Sequence, residues 1–183
     1  NDVARQAILF DSDFYDGFYE RHSARPQKGL AIARMMGHIT YLAEQGLGAR
    51  FGRGEGKQVP KKLYDSKFQV ESYLRAQGKK FASYFDANTY LLMTKALDYF
   101  DPAQGGPLDV ALANICAKVL LISFSSDWRF APQCSREIWA ALICAQKEVQ
   151  YLEIESSRGH DAFLLDDALY LKGMRLYFED IVY

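Results

Sequence analysis

The pattern of apolar and polar residues changes character near the middle of the chain. Before residue 100, three stretches repeat their apolar residues at the roughly 3.6-residue spacing of an amphipathic helix. These are GLAIARMMGHITYLAEQGL (29–47), DSKFQVESYLRAQGKKFASYF (65–85) and DANTYLLMTKALDYF (86–100). The predicted buried face of the first stretch consists of Ile32, Met35, Met36, Ile39 and Leu42.

Two local signals refine this helical half. Asp86 and Asn88 are both candidate N-caps for the third stretch, because short polar side chains can accept hydrogen bonds from the first free amides of a helix. The stretch GARFGRGEGKQVPKK (48–62), with four glycines and a proline, predicts a loop between the first two helices.

The second half alternates strand-like and helix-like stretches. It follows the turn-rich connector DPAQGGPLD (101–109). AKVLLISFSSD (117–127) is continuously apolar, as is typical of a strand in a parallel sheet, and EVQYLEIES (148–156) predicts a second strand. APQCSREIWAALICAQ (131–146), with Pro132 near its start, and DDALYLKGMRLYFEDIV (166–182) predict helices. This βαβα order predicts the α/β class, and the helical first half suits a lid across the strand ends.

Composition narrows the classes of function. The net charge of -1 provides no attraction to nucleic acid or to an anionic membrane surface. No apolar run reaches the roughly 20 residues that cross a bilayer, and the N-terminal stretch lacks the features of a signal peptide. The three cysteines are an odd number without metal-ligand spacing. We therefore expect a cytoplasmic protein that binds no metal, nucleic acid or membrane.

Two polar residues follow the two predicted strands at the point where each ends. Asp127 follows the first strand and His160 follows the second, 33 residues later. The carboxyl ends of parallel strands meet at one edge of a sheet, where ligands gather. An aspartate that accepts from one imidazole nitrogen leaves the other nitrogen free to act as a general base. The two residues are therefore a candidate catalytic pair, and the alternative is a helix cap and an ordinary turn residue.

A nucleophile for this pair is not apparent in the chain. A nucleophile elbow has the form G-x-S-x-G between a strand and a helix, and no serine of the chain lies in that frame. Cys134 and Cys144 lie in a helical pattern without an elbow.

Four separated stretches resemble the homoserine O-acyltransferases of methionine biosynthesis, α/β-hydrolase enzymes with a helical lid. They are GLAIARMMGHITYL, FQVESYLRAQGKKFASYFDANTYLLMTKALDYFD, SFSSDWRFAP and GHDAFLLDD. The resemblance implies a core helix segment (1–14), a helical lid (15–112) and the C-terminal part of an α/β-hydrolase core (113–183). It also implies that the first strands, the nucleophile elbow and the oxyanion loop of such an enzyme would lie before Asn1.

The resemblance implies an activity and roles for individual residues. The family transfers an acyl group from succinyl- or acetyl-CoA, a co-substrate, to the hydroxyl of L-homoserine by way of an acyl-serine. It has no permanently bound cofactor and forms a homodimer through the lid helices. Asp127 would orient His160, the general acid and base. Asp161 would bind the homoserine ammonium, and Arg34, with Tyr41 nearby, would bind its carboxylate.

Succinyl-CoA and acetyl-CoA are both candidate acyl donors. The stretch DWRFAP resembles the succinyl-using branch of the family more closely than the acetyl-using branch. Arg129, which lies in this stretch, is a candidate contact for the free carboxylate of a succinyl group. Phe163, Leu164 and Leu165 are expected to anchor the histidine loop in the core.

One alternative function is that of an esterase or thioesterase that uses water as the acceptor. Another is a catalytically incomplete fragment that acts as a dimerisation or binding module, since the chain alone is expected to be inactive.

Overall fold

The computed structural model of the chain describes residues 1–56, 65 and 67–181. The helices and strands predicted for both halves occur in the predicted order, and the short helix Leu108–Leu112 is additional. The helices are α1 Asp2–Leu9, α2 Gln27–Tyr41, α3 Glu44–Arg50, α4 Gln69–Ala82, α5 Ala87–Tyr99, α6 Leu108–Leu112, α7 Pro132–Cys144 and α8 Ala168–Ile181. The strands are β1 Val119–Phe124 and β2 Val149–Ile154, and short 3-10 helices lie at Tyr15–Gly17, Tyr19–His22 and His160–Leu164.

The chain divides into two compact units. The first comprises Asn1–Ile39 and Gly48–Phe100, and the second comprises Thr40–Leu47 and Asp101–Tyr183. These bounds differ from the expected ranges 1–14, 15–112 and 113–183. One reason is that α1 buries Ala4 and Ile8 in the core of the helical unit. The identification of the units with the lid and the core of a larger enzyme stays a prediction.

The helical unit is built around small residues as much as around large ones. Its buried core contains Ala4, Ile8, Phe14, Tyr19, Leu30, Ala33, Phe81, Ala82 and Ala87. The apolar residues predicted for α2 are buried only in part. Met36 packs against this core, whereas Ile32 and Ile39 are 49% and 46% exposed, and Leu30 and Ala33 are buried instead. The cause is Gly29, at which a Cβ would lie 2.2 Å from the carbonyl oxygen of Ala7. Such a close backbone approach requires small residues at the contact.

The first predicted helical stretch is interrupted. α2 ends at Tyr41 and α3 begins at Glu44, so the stretch 29–47 forms two helices rather than one. α3 continues to Arg50, and the predicted loop 48–62 therefore begins later than expected. Residues 57–62 of that loop lie outside the described residues.

The start of α5 follows the capping prediction. Asp86 has extended backbone angles, and its side chain accepts a hydrogen bond from the backbone amide of Thr89 at 2.7 Å. Its other carboxylate oxygen accepts a hydrogen bond from the hydroxyl of Tyr19. Asp86 is therefore the N-cap, and Asn88 instead donates a hydrogen bond from its side-chain amide to the carbonyl of Gly17.

The second unit confirms the predicted βαβα order. β1 and β2 are parallel and in register from Val119 opposite Val149 to Phe124 opposite Ile154. α7 lies between them in sequence and begins at Pro132, whose missing amide is tolerated in a first helical turn. The core of this unit includes Phe124, Ile154 and Ala162. The parallel pairing brings the loops after both strands to one edge, which is where the candidate chemistry lies.

Two further properties bear on the composition-based expectations. Cys116, Cys134 and Cys144 are exposed free thiols. Within the described ranges, no helix combines the length and the apolar character needed to cross a membrane.

Candidate active site

Asp127 and His160 form a hydrogen-bonded pair at the carboxyl ends of the two strands. Nδ1 of His160 lies 2.8 Å from Oδ2 of Asp127. Because an ionised carboxylate only accepts hydrogen bonds, this contact places a proton on Nδ1. Nε2 is then the nitrogen that can take a proton from a reacting group or return it.

The carboxylate of Asp127 is held by the turn in which it lies. Its side chain is only 9% exposed. Oδ1 accepts hydrogen bonds from the backbone amides of Arg129 at 3.0 Å and Phe130 at 2.9 Å, which leaves Oδ2 for His160. Asp127 caps the turn after β1 and not the following helix, whose N-cap is Ala131, and it also orients an imidazole. A buried carboxylate with three donors has no spare freedom, so the direction of its second oxygen is set by the backbone.

Three aromatic rings lie around the imidazole of His160. The ring centroids of Phe130, Tyr41 and Phe163 are 5.0, 5.4 and 5.8 Å from that of His160. These distances lie within the ~4.5–7 Å range of favourable aromatic contacts. The side chains of His160 and Asp127 are 22% and 9% exposed, and limited contact with water strengthens the bond between them.

The anchor of the histidine loop is a different residue from the one predicted. Phe163, Leu164 and Leu165 are 46%, 68% and 42% exposed, so the expectation that they enter the core was wrong. Ala162 is the buried residue, at 2% exposure, and packs in the cluster with Phe124 and Ile154. The 3-10 helix His160–Leu164 turns the small residue inward, and Phe163 contacts the imidazole instead.

Tyr41 and Arg129 lie together in the second unit. The guanidinium of Arg129 lies 5.0 Å from the ring centroid of Tyr41, and its Nη1 donates to Oγ1 of Thr40 at 3.1 Å. Because Tyr41 also contacts His160, the structure brings Tyr41 and Arg129 to the neighbourhood of the Asp127–His160 pair. A guanidinium has five N–H donors, so the bond to Thr40 leaves others for an anion.

The remaining predicted site residues are placed as follows. Asp161 is half-buried and follows His160 in the same short 3-10 helix. Arg34 belongs to the first unit, where its guanidinium lies 5.0 Å from the ring centroid of Phe81. His38, which is not one of the predicted site residues, is buried in the first unit, and its ring meets that of Tyr73 edge to face. The substrate-binding roles of Arg34, Asp161 and Tyr41 stay predictions.

A cavity of about 320 Å³ opens beside the pair. Its wall carries the polar side chains of Asp127, His160, Ser123 and Ser135. Large apolar side chains from β1, from the histidine loop and from α8 complete it, among them Phe124, Phe163, Tyr170 and Met174. A cavity that combines apolar side chains with a few convergent polar groups is the usual form of a small-molecule site.

Two contributors to this site were missed in the sequence. Phe130 lacks a motif of its own, and only the fold places it beside His160. Gly159 has φ +71° and ψ -152°, which is a region that only glycine adopts readily. Its signal was present as the glycine directly before the histidine, but the reason for it depends on contacts with the distant segment 41–43.

Comparison with known proteins shows extended similarity to one group of enzymes. Homoserine O-succinyltransferase from Neisseria meningitidis serogroup B is 57% identical over 183 residues, or 99% of this chain and 48% of that protein. The protein of the same name from Cupriavidus metallidurans is 54% identical over 99% of this chain and 47% of its own length. The chain therefore spans about half the length of these curated relatives. No protein-family model matches the chain.

Solved structures give the fold. The crystal structure of homoserine O-acetyltransferase from Bacillus anthracis has a TM-score of 0.75 and 26% identity, and the alignment covers 87% of this chain and 42% of that one. Esterase E22 has a TM-score of 0.80 at 22% identity and covers 96% of this chain and 48% of that one, which shows the fold alone. The α/β class predicted from the sequence is confirmed. Over nearly its whole length, this chain is similar to part of the homoserine O-succinyltransferases, and its fold is of the α/β-hydrolase type.

Proposed function

We propose that this chain supplies the acid–base half of an enzyme that transfers an acyl group from an acyl-CoA to the hydroxyl of L-homoserine. The observation that carries the proposal is the bond between His160 Nδ1 and Asp127 Oδ2, which lies beside a cavity of about 320 Å³. The similarity to homoserine O-succinyltransferases supports the choice of substrates. A histidine held in this way can move a proton at Nε2 in both halves of a transfer reaction.

The proposed reaction has two halves with a serine nucleophile that lies outside this chain. In the first, His160 takes the serine proton as the serine oxygen attacks the thioester carbon. The C–S bond then breaks, and the CoA thiolate leaves with the proton from His160. In the second, His160 takes the proton of the homoserine hydroxyl, whose oxygen attacks the acyl-serine. The ester of homoserine forms and the serine oxygen regains the proton. Asp127 stabilises the imidazolium in both halves.

Recognition of homoserine is assigned to charged side chains. Asp161 follows directly after the catalytic histidine, and its carboxylate suits the ammonium of an amino acid. Arg34 suits the carboxylate, because a guanidinium can form two parallel hydrogen bonds with it. Tyr41, whose ring lies 5.4 Å from that of His160, is the proposed hydroxyl partner near the acceptor.

Succinyl-CoA is the proposed donor, with acetyl-CoA as the next candidate. The relatives named homoserine O-succinyltransferase support this choice. The guanidinium of Arg129 and the imidazole of His160 both contact the ring of Tyr41, so Arg129 places a positive charge near His160. It offers further N–H donors for the free carboxylate that a succinyl group has and an acetyl group lacks. In this proposal the acyl-CoA is a co-substrate and no cofactor is bound permanently.

The proposed assembly is a cytoplasmic homodimer through the helical unit. Leu92, Met93 and Leu97 of α5 are 72%, 56% and 62% exposed, and Ile32 and Ile39 of α2 are also exposed. Apolar surface of this kind is typical of protein interfaces.

The test is a chimaera in which residues 1–183 replace the matching segment of the Neisseria meningitidis serogroup B enzyme. The chimaera is expected to form O-succinylhomoserine with a higher kcat/KM for succinyl-CoA than for acetyl-CoA. His160→Ala is expected to lower kcat by at least about 10⁴-fold, the usual effect of removing a triad member. His22→Ala is the matched control, since His22 is exposed in the first unit and is expected to leave kcat unchanged.

Three results would contradict the proposal. The first is full activity in His160→Ala. The second is release of free acid from the acyl-CoA at the same rate with and without homoserine, which identifies a hydrolase. The third is acylation of homoserine by the isolated 183-residue chain, which is expected to have none. Higher kcat/KM with acetyl-CoA would overturn the donor assignment alone.

A further inference from the structure

The loops that carry Asp127 and His160 extend beyond the backbone ladder of the two strands. The last backbone hydrogen bond between them is donated by Ser125 N to Ile154 O at 2.9 Å. Among the described residues, no backbone–backbone bond joins 126–130 to 155–164. The relative position of the two loops beyond this point is therefore set by side chains.

Two serine hydroxyls make the connections that the backbone does not. Oγ of Ser126 accepts a hydrogen bond from the amide of Gly159 at 2.9 Å. Oγ of Ser125 accepts from the amide of Ser156 at 3.0 Å and donates to the Ser156 carbonyl at 3.3 Å. Ser125 is exposed, so water can replace its bonds, whereas Ser126 is half-buried. The bond from Gly159 to Ser126 is therefore the more important of the two.

The Ser126 bond joins the residues directly before both members of the pair. Ser126 precedes Asp127 and Gly159 precedes His160, so the bond links the two backbones one residue away from the imidazole–carboxylate contact. Ser126 and Gly159 are 33 residues apart in sequence, and one hydroxyl connects them here. A hydroxyl at this place fixes the distance between Nδ1 and Oδ2 more directly than any contact farther along the loops.

Gly159 is held on its other side by backbone. A Cβ at this position would lie 2.4 Å from the carbonyl oxygen of Tyr41 and 2.6 Å from the amide nitrogen of Ala43. The peptide of Gly159 thus lies between the Ser126 hydroxyl and the backbone of residues 41–43. Between two such contacts the histidine loop has little freedom to move away from Asp127.

We infer that Ser126 is a positioning residue, whose hydroxyl holds the His160 loop so that Nδ1 faces Asp127. Ser126 acts through Gly159 and not on substrate. The consequence for acyl transfer rests on the proposed function, but the positioning itself is a property of this chain and is measured without any substrate.

The experiment uses the 183-residue chain with nitrogen-15-labelled histidine. The chain has three histidines, so the signals of His22, His38 and His160 can be assigned one by one. The observables are the resonance of the His160 Nδ1 proton and its rate of exchange with solvent. In Ser126→Ala, exchange is expected to be about five to ten times faster, the factor that one hydrogen bond of ordinary strength contributes. Ser126→Thr retains a hydroxyl and is expected to restore slow exchange.

Ser157→Ala is the matched control in the same loop. Ser157 is exposed, and its hydroxyl has no hydrogen bond to any residue that the structure describes. It is expected to exchange at the wild-type rate, and unchanged His38 signals in all variants report that the first unit is intact. The inference is overturned if Ser126→Ala exchanges no faster than Ser157→Ala, or if Ser126→Thr exchanges as fast as Ser126→Ala.

The same variants in the chimaera separate the two proposals. Ser126→Ala is expected to lower kcat about five to ten times, while KM for homoserine stays unchanged, since no substrate contact is lost. If the chimaera with all wild-type residues transfers no acyl group, the proposed function is wrong, and the exchange rates of His160 still decide the role of Ser126.

Discussion

Asp86 in the helical unit and Asp127 in the α/β unit make nearly the same bonds. Each uses one carboxylate oxygen to accept a backbone amide from a residue shortly after it in the chain, Thr89 for Asp86 and Phe130 for Asp127. Each uses the other oxygen for an aromatic side chain, the hydroxyl of Tyr19 or the imidazole of His160. The two units thus contain one local arrangement with two different partners.

The partner decides what the arrangement can do. Burial first, and then the bond to Asp86, raises the pKa of the Tyr19 hydroxyl above its usual 10.0, so the phenol keeps its only proton. An imidazole has two ring nitrogens, so His160 can hold Asp127 through Nδ1 and still exchange a proton at Nε2. The carboxylate is common to both, and the capacity for acid–base chemistry comes from the ring.

The largest expected effect is the loss of activity when the charge of Asp127 is removed. The same change at Asp86 is the comparison. In the chimaera, Asp127→Asn is expected to lower kcat about 10⁴-fold, because an amide can stabilise the wrong tautomer of the histidine and cannot stabilise its cation. Asp86→Asn is expected to leave kcat unchanged. Steady-state kinetics with homoserine and succinyl-CoA measures both. Equal losses in the two variants would show that the two aspartates have the same role.

A second comparison concerns the glycines that precede the aromatic partners. Gly17 and Gly159 both have positive φ, +88° and +71°. A Cβ at Gly159 would meet backbone at 2.4 Å, whereas one at Gly17 would meet only the Asn88 side chain at 3.1 Å. Gly159→Ala is therefore expected to lower the free energy of unfolding by about 2–4 kcal/mol, from strain and overpacking together. Gly17→Ala is expected to lower it by about 1 kcal/mol, from strain alone.

Urea unfolding separates these two effects. Both tryptophans, Trp128 and Trp139, lie in the second unit, so their fluorescence reports unfolding near Gly159. Circular dichroism in the far ultraviolet reports the helices of both units, so a loss of helix signal without a change in tryptophan fluorescence reports unfolding of the first unit. Similar losses for Gly17→Ala and Gly159→Ala would mean that positive φ, and not the approach of the 41–43 backbone, limits both positions.

The smallest expected effect is the pH dependence that comes from Asp86. Burial alone would raise the pKa of its carboxyl, but the hydrogen bonds from Tyr19 and Thr89 outweigh burial and hold the pKa below its usual 3.8. A lowered folded-state pKa stabilises the protein above the unfolded pKa, and this contribution is lost as the pH falls through the folded value. Stability of the first unit is therefore expected to decrease below about pH 4.

Thermal unfolding between acid and neutral pH measures this dependence. In Asp86→Asn the decrease between neutral pH and pH 3 is expected to be smaller, because the titrating group has been removed. If the decrease in stability at acid pH is the same in Asp86→Asn, it comes from other carboxyls. One such carboxyl is that of Asp98, whose pKa is also lowered by hydrogen bonds from Asn1 and Arg5.

Helices and strands were predictable where short-range interactions between neighbouring residues determine them. Pro132 at the start of α7, Asp86 as the cap of α5 and the apolar run of β1 each follow from short-range chemistry, and the structure has all three. The buried face of α2 was not predictable from periodicity. α1 approaches α2 closely at Gly29. This contact, and not the size of the side chains, determines that Leu30 and Ala33 are buried.

The candidate site divides in the same way. The order of Asp127 and His160 at the ends of consecutive strands was enough to predict that they could meet, because parallel strands share an edge. Ala162 as the anchor and Phe130 as a neighbour of the imidazole were not predictable. Both depend on how a short 3-10 helix and a tight turn are rotated, and small local changes in backbone angles alter that rotation.

By itself, then, the sequence determined the α/β class and the positions of the α5 cap and of the two strands, since each depends on residue type and spacing within a few turns of chain. It also indicated that Asp127 and His160 could meet, because parallel strands share an edge. Only the tertiary structure decided how the pair is held. The Ser126 hydroxyl, the Gly159 peptide and the backbone of residues 41–43 come from three separate segments. Their contacts arise when the chain is folded, and no local pattern encodes a distance between residues that are far apart in sequence.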